Sequence, residues 1–415
     1  MKYIEHISGQ VPHTSKVIDI PLKLRNLIIT GKNSSGKTQF LKGLKEKLDI
    51  YVYEKLVQEK DNILHNIEHY KRELIELQKG TQNYSNTERW LKNDLERLSK
   101  IENGISINIP EVLELTYKVE KRKASVILFE AMRTSNIRHA NQTTSISTEI
   151  SEAQNNFSSN IGNKLEQHLY NITVNQSLSL THKKDASLFE KYTNWFNSFD
   201  ENLKFLFENE STHLFFQINN TENKYYIVKD SQKFSFQDLS SGYQAIFNIY
   251  SDLLMRTEFF NIPPSELEGI VLIDEIDAHL HISLQKLIFP FFTRSFPKLQ
   301  FIVSTHSPFV ITSTDNDTVV YDISSGDFFE EDLSRYSHES IIKELFHVKN
   351  ESENLKKLSD QLLQFIESEN SIQDLNAIQN LLKDINKDFE KLSIELQLQY
   401  MVAKNKLAKL KHGDN

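Results

Sequence analysis

Cysteine is absent from all 415 residues. Its absence excludes disulfides, thiolate metal sites and cysteine catalysis. Long apolar runs are missing too. No stretch approaches the roughly eighteen residues of a membrane span, and the start, Met1-Lys-Tyr-Ile-Glu5, lacks the pattern of a signal peptide. The expectation is a cytoplasmic chain with no membrane segment. Positive charge is in deficit: 48 Lys and Arg stand against 57 Asp and Glu, for a net charge of −9. No global field therefore draws the chain to nucleic acid, and a DNA contact would need a local basic patch. The remaining composition, 39% hydrophobic and 25% charged, is that of a globular protein. The length suffices for one large core plus an accessory domain.

Residues 31–38 read Gly-Lys-Asn-Ser-Ser-Gly-Lys-Thr, a complete G-x-x-x-x-G-K-[ST] phosphate loop. The apolar run Leu27-Ile28-Ile29 precedes it, and a helix can start at Lys37. That strand–loop–helix context is what gives the motif meaning. Gly31 and Gly36 let the backbone curl, so that N–H groups of Asn33, Ser34, Ser35 and the first helical residues up to Gln39 can face phosphate oxygens. Lys37 should reach the β- and γ-phosphates of ATP, and the Thr38 hydroxyl should ligand Mg²⁺. A chance Gly/Ser turn is the ordinary alternative, and it explains the full match poorly.

A second buried strand runs from Gly269 and ends in Asp274-Glu275. Two carboxylates at the end of a buried strand place charge at the carboxyl edge of the sheet, where open α/β sheets bind ligands. Asp274 is the candidate Mg²⁺ ligand, and Glu275 the candidate base for the attacking water. A third apolar strand, Gln300-Phe-Ile-Val-Ser, ends at Thr305-His306. Between the loop and these strands lies Leu239-Ser-Ser-Gly-Tyr-Gln244, followed by an amphipathic segment that reads as a helix capped by Ser240 or Ser241.

Taken in order, these four motifs resemble those of the ABC-type ATPases. The resemblance covers about 1–45 and 205–325. It implies an α/β P-loop fold in which a mixed sheet is flanked by helices. It also implies that Ser240, Ser241 and Gly242 form the signature segment, contacting the γ-phosphate held by a second subunit. His306 corresponds to the switch histidine. The family's glutamine loop should follow the strand Lys123–Phe129. Gln142 is its candidate, in a polar stretch that also holds Arg133 and Arg138. Tyr243 departs from the acidic residue frequent in the signature. The wording Asp274-Glu-Ile-Asp-Ala-His-Leu-His281 is similar to the D-E-x-[ED]-x-H-L-H form of soluble AAA-type proteins related to the OLD nucleases and to the ATPases of phage-defence operons. His279 and His281 are then part of a dimer-facing loop more simply than a metal pair.

The organisation expected from this reading is an N-terminal ATPase part (1–45), a helical hairpin insertion (46–103), the remainder of the ATPase domain (104–336) and a C-terminal helical interaction domain (337–415). Strands are expected at Lys2–Ile7, Val17–Ile20 and Asn26–Thr30, and a hairpin at Leu214–Ile218 and Lys224–Val228. Helical arms of about thirty residues, broken at Gly80–Thr87, would reach roughly 45 Å. The C-terminal helices resemble those of Septu-type ATPases (PtuA), which work with a separate HNH nuclease. A PARIS-type ATPase with a Toprim-like partner is the alternative.

Three functions follow from the sequence. One is an ATPase that dimerises around nucleotide and regulates an effector nuclease in antiphage defence. The second is a DNA-repair or DNA-binding ATPase of the SMC/RecF kind, which leaves DNA open as a partner. The third is a nucleotide-gated scaffold with little hydrolysis. Short arms, the His-Leu-His loop and the acidic balance favour the first, and Glu275 argues against the third.

Overall fold

A computed structural model describes residues 2–133, 137–140, 144–145, 148, 151, 160–179, 185–218, 223–345, 353–367, 375–387, 389, 392 and 394–412. In chain order the strands are β1 (His6–Gln10), β2 (Val17–Pro21), β3 (Asn26–Thr30), β4 (Ile105–Asn108), β5 (Ala124–Phe129), β6 (His213–Ile218), β7 (Asn223–Lys229), β8 (Gln232–Phe234), β9 (Glu268–Ile273), β10 (Leu299–Ser304), β11 (Thr318–Asp322) and β12 (Phe328–Phe329). The chain divides into two compact units, 1–341 and 342–415.

β3, β10 and β11 are buried at every position. A parallel strand covered on both faces needs that continuous apolar run. They lie in a six-stranded sheet ordered β12-β11-β3-β10-β9-β5. All neighbours in it are parallel except β12, which pairs antiparallel with β11 at one edge. The fold is therefore α/β with a mixed, mostly parallel sheet. One face is covered by helix Lys37–Val52 through Phe40, Leu41, Leu44 and Leu48. The same core includes Ile7, Ile18, Ile20 and Ile107 of a small antiparallel sheet, β2-β1-β4. Helix Ile282–Ser295 lies on the other face, where Phe289 and Phe292 meet Phe301 of β10. Parallel alignment puts the carboxyl ends of β3, β9, β10 and β11 side by side, so residues far apart in sequence share one edge.

Several local expectations shift. The first strand begins at His6, because Tyr3 and Ile4 donate their N–H groups to the Gln300 side chain at 3.0 and 2.7 Å rather than to a ladder. The hairpin arms are Lys60–Glu76 and Gln82–Glu102. The longer, 21 residues, spans roughly 32 Å. Most of the polar stretch 80–87 is helical, since Thr81 caps the second arm by accepting from Tyr84 N–H. The strands β6 and β7 pair as expected, and β8 extends them to three.

Lys47 fastens the insertion to the phosphate-loop helix. It is 4% exposed. Its ammonium donates to the carbonyls of Lys100, Ile101 and Asn103 at 2.8, 3.0 and 2.7 Å. These are carbonyls at the C-terminus of the second arm, where a cation also opposes the helix dipole. Burial lowers the Lys47 pKa. Lys47→Met leaves buried carbonyls without a donor, and we expect about 2–3 kcal/mol of destabilisation in urea unfolding. A change below about 0.5 kcal/mol would mean the tie contributes nothing.

The unit 342–415 contains helices Glu353–Glu367, Leu375–Lys387 and Ile394–His412. Leu362, Phe365, Leu382, Ile385, Leu396, Tyr400, Ala403 and Leu407 form its core. Lys406, in the basic stretch 404–411, donates to the carbonyls of Phe365 and Ile366, both at 2.9 Å. That lysine serves the packing of the unit.

Candidate functional site

The phosphate loop leaves β3 at Gly31, which has φ 135°. A Cβ there would sit 2.5 Å from Ser324 Oγ and 2.8 Å from Asp322 Oδ1. Only glycine fits against this turn after β11. Ser324 in turn accepts from Lys32 N–H at 2.7 Å and donates its own N–H to Asp322 at 2.6 Å. Gly36, at φ 103°, ends the loop without a capping side chain. The first N–H groups of the helix are thus left for an anion. Asn33, Ser34 and Gln39 are exposed around the loop, and Ser35 is buried. Lys37 is buried and arches back, donating to the carbonyls of Gly31 at 3.0 Å and Lys32 at 3.1 Å. Burial lowers its pKa, against the opposing pull of Glu275, Asp274, Asp322 and Asp277.

The Asp274 carboxylate is fixed from both sides. Thr38 Oγ1 donates to Oδ2 at 2.8 Å, and Ser304 Oγ donates to Oδ1 at 2.6 Å. The same Ser304 hydroxyl accepts from Glu275 N–H at 2.7 Å. Glu275 sits at φ 46°, a left-handed position for a residue with a side chain. Its carboxylate is exposed and binds none of the described residues. Thr305 donates to Asp277 at 2.6 Å. His306 is half-buried, and its pKa is lowered by burial first and by Lys37 next, against Asp277, Glu275 and Asp274. The imidazole is therefore biased toward its neutral form. Strand ends β3, β9 and β10 thus bring Lys37, Thr38, Asp274, Glu275 and His306 into one electrostatic cluster.

The signature residues sit elsewhere. Ser240 is the N-cap of helix Ser241–Phe260, but its side chain makes no capping bond, contrary to expectation. Gln244 instead ties the helix to the turn before it, donating from Nε2 to the carbonyls of Leu239 at 2.9 Å and Gln237 at 3.2 Å. A Cβ on Gly242 would lie 3.1 Å from the His279 carbonyl, so the first helical turn abuts the loop after Glu275. Ser240 and Ser241 are exposed. Among the described residues no hydrogen bond joins Ser240–Gly242 to the phosphate loop. Tyr243 stacks on Phe207 at 4.3 Å, a packing reason for its departure from an acidic residue. Gln142 lies outside the described residues.

His281 caps helix Ile282–Ser295 by accepting from Ser283 N–H. Among the described residues no group of three His, Cys, Asp or Glu could hold a metal ion. Magnesium bound with a nucleotide needs no such cage, because phosphate and water supply most of its oxygens. One hydroxyl and one carboxylate in contact, Thr38 and Asp274, fit that requirement. Sequence reasoning missed Arg133, Ser304 and the Asp322–Ser324 turn. Arg133 is 8% exposed and donates to the carbonyls of Glu130, Asp274 and Glu275. Its only linear signal is a cation just beyond a buried strand.

A family model described as "AAA domain, putative AbiEii toxin, Type IV TA system" matches residues 27–312. The "Retron Vc95 probable ATPase" of Vibrio cholerae serotype O1 biovar El Tor is 38% identical over 96 residues, 22% of this chain and 19% of that protein. The "Septu protein PtuA" of Bacillus mycoides (strain KBAB4) is 46% identical over 74 residues, 17% of this chain and 10% of that protein. The chain thus matches less than a fifth of the length of these curated relatives. Among solved structures, an SMC head bound to the C-winged helix domain of ScpA aligns with 77% of this chain and 94% of that one, at a TM-score of 0.35 and 14% identity.

Proposed function

From the premise that the chain belongs to this AAA-domain family, we propose that it is an ABC-type ATPase: it binds ATP with Mg²⁺, closes against a second copy of itself, and controls a separate effector nuclease in antiphage defence. The observation that carries the nucleotide site is the 2.8 Å bond from Thr38 to Asp274, two residues 236 apart in sequence. A loop hydroxyl and a strand-end carboxylate that meet at the mouth of an anion-binding helix are placed to share one ligand, which supports this reading. Lys37, swung from its carbonyls, pairs with the β- and γ-phosphates. Thr38 and Asp274 would hold Mg²⁺, which when bound neutralises charge on the phosphate oxygens. Glu275, exposed and ionisable, takes the proton of the attacking water. Neutral His306 offers an N–H to the γ-phosphate.

The self-association reading is supported by the exposed Ser240 and Ser241, which have no bond to their own phosphate loop. The antiphage reading is supported by the retron and Septu relatives. The separate effector, of HNH or Toprim type, is inferred from the resemblance to Septu-type ATPases. The helices of 342–415 are the proposed docking module.

The purified protein should hydrolyse ATP with Mg²⁺ and leave DNA uncut. Removing 342–415 should keep ATP binding and lose co-purification with a co-expressed HNH or Toprim-type nuclease. The cut belongs after Ile341, because the His338 ring lies 4.4 Å from Phe309 and Ile341 is buried. DNA cleavage by the protein alone, or a truncated chain that still retains the nuclease, overturns this assignment.

A further inference from the structure

We propose that Arg133 is a positioning residue for Glu275, acting through the backbone of the Asp274–Glu275 turn. The proposal rests on the ATPase reading above and names a residue that no motif assigns. Its guanidinium donates from Nη1 to the Asp274 carbonyl at 2.6 Å and to the Glu130 carbonyl at 2.9 Å, and from Nη2 to the Glu275 carbonyl at 2.7 Å. One planar fork therefore spans two successive peptides of the catalytic turn and ties them to the end of β5. That geometry suits arginine and not lysine.

The two carboxylates depend on this fork unequally. Asp274 has independent support, because Thr38 and Ser304 hold its side chain. The Glu275 carboxylate has none among the described residues. Its direction is set by its backbone alone, and that backbone is left-handed at φ 46°. Three bonds fix the strained residue: Ser304 Oγ accepts from its N–H, and its carbonyl accepts from Arg133 and, at 2.9 Å, from Ala278 N–H within the same turn. Left-handed backbone at a residue with a Cβ persists only when the surroundings over-determine it. Removing the fork releases the only side-chain donor on the Glu275 carbonyl among the described residues and leaves the local Ala278 N–H, which belongs to the turn itself. Burial costs the arginine enough to push its pKa down to about 10, with Asp274, Asp277 and Glu275 opposing the shift. It remains charged at neutral pH, and a buried cation spent on three carbonyls reflects a demand for fixed geometry.

Arg133→Lys keeps the charge and loses the fork, and Arg133→Met tests full removal. With Arg133→Lys we expect kcat for ATP to fall at least tenfold while Kd for MgATP stays within threefold. Arg133→Met should fall further. In a Glu275→Gln background, Arg133→Lys should lower the residual rate by less than twofold, since the group it positions is gone. Hydrogen–deuterium exchange of the peptide 273–279 gives a readout free of turnover. It should quicken in Arg133→Lys while 31–38 stays unchanged. Loss of MgATP affinity in step with kcat, full additivity with Glu275→Gln, or unchanged exchange at 273–279 overturns the proposal. A wild-type protein that hydrolyses no ATP removes the ATPase reading instead, and the exchange experiment still decides the role of Arg133.

Discussion

Lys37→Ala should abolish binding of MgATP, weakening affinity by at least about a hundredfold. The lysine is the buried cation of the loop, and each charge-assisted bond to a phosphate is worth roughly 1.5–3 kcal/mol. Contacts to two phosphates give about 3–6 kcal/mol, or roughly two to four decades in Kd. The side chain is already desolvated and pointed at the loop, where it waits on the carbonyls of Gly31 and Lys32. Little further ordering is needed when phosphate arrives. Calorimetric titration measures the effect directly. Thermal shift gives a second view: ATP at a hundred times Kd stabilises the wild type by about 2.7 kcal/mol, and the variant should gain nothing. The sign of the pH dependence follows from the lowered Lys37 pKa. Affinity needs the protonated amine, so it holds below that pKa and declines as pH rises through it, earlier than for an ordinary lysine. Unchanged affinity in Lys37→Ala would remove the nucleotide from this loop.

The parts of this site that sequence revealed are those written in consecutive residues. The loop 31–38 carries its glycines, lysine and threonine within eight positions. β3, β9 and β10 carry the apolar runs Leu27–Ile29, Ile270–Ile273 and Phe301–Val303, so the strands and the polar residues at their ends could be read together. What escaped is long-range. Ser304 looks like the last residue of a strand, yet it joins Asp274 to the Glu275 amide. Asp322 ends β11 and Ser324 follows it, almost three hundred residues after Gly31, and together they decide that Gly31 can have no side chain. Arg133 satisfies carbonyls, which leave no mark on side-chain pattern. β4 and β8 span four and three residues, too short for a period to register. The helix from Lys37 stops at Val52 without a glycine or proline to announce it, so the insertion looked longer than its arms are. Tyr243 looked like a weakened signature until Phe207 appeared beneath it.

Glu275→Gln should slow hydrolysis by about a thousandfold, within the range for loss of a general base, while MgATP still binds. The substitution changes one atom type and keeps the shape. An amide cannot take a proton from water. The three bonds that fix this residue, from Ser304, Arg133 and Ala278, reach its backbone and survive the change. Glutamine tolerates the left-handed position about as well as glutamate. Stability should therefore stay within about 0.5 kcal/mol, as for a surface change that removes no contact. Lys37, Thr38 and Asp274 are untouched, so the bound state forms but cannot discharge. If Ser240, Ser241 and Gly242 complete the site of a second copy, each bound nucleotide bridges two chains. Blocking hydrolysis then accumulates the closed dimer by mass action. Light scattering with MgATP should show twice the monomer mass for Glu275→Gln, and the monomer alone when nucleotide is withheld. Adding Ser241→Arg to that variant should dissolve the dimer and leave nucleotide bound, because residue 241 is exposed and in that closed state would face the other chain's phosphate. A Glu275→Gln protein that stays monomeric with MgATP refutes closure around nucleotide, and one that hydrolyses at the wild-type rate places the base elsewhere.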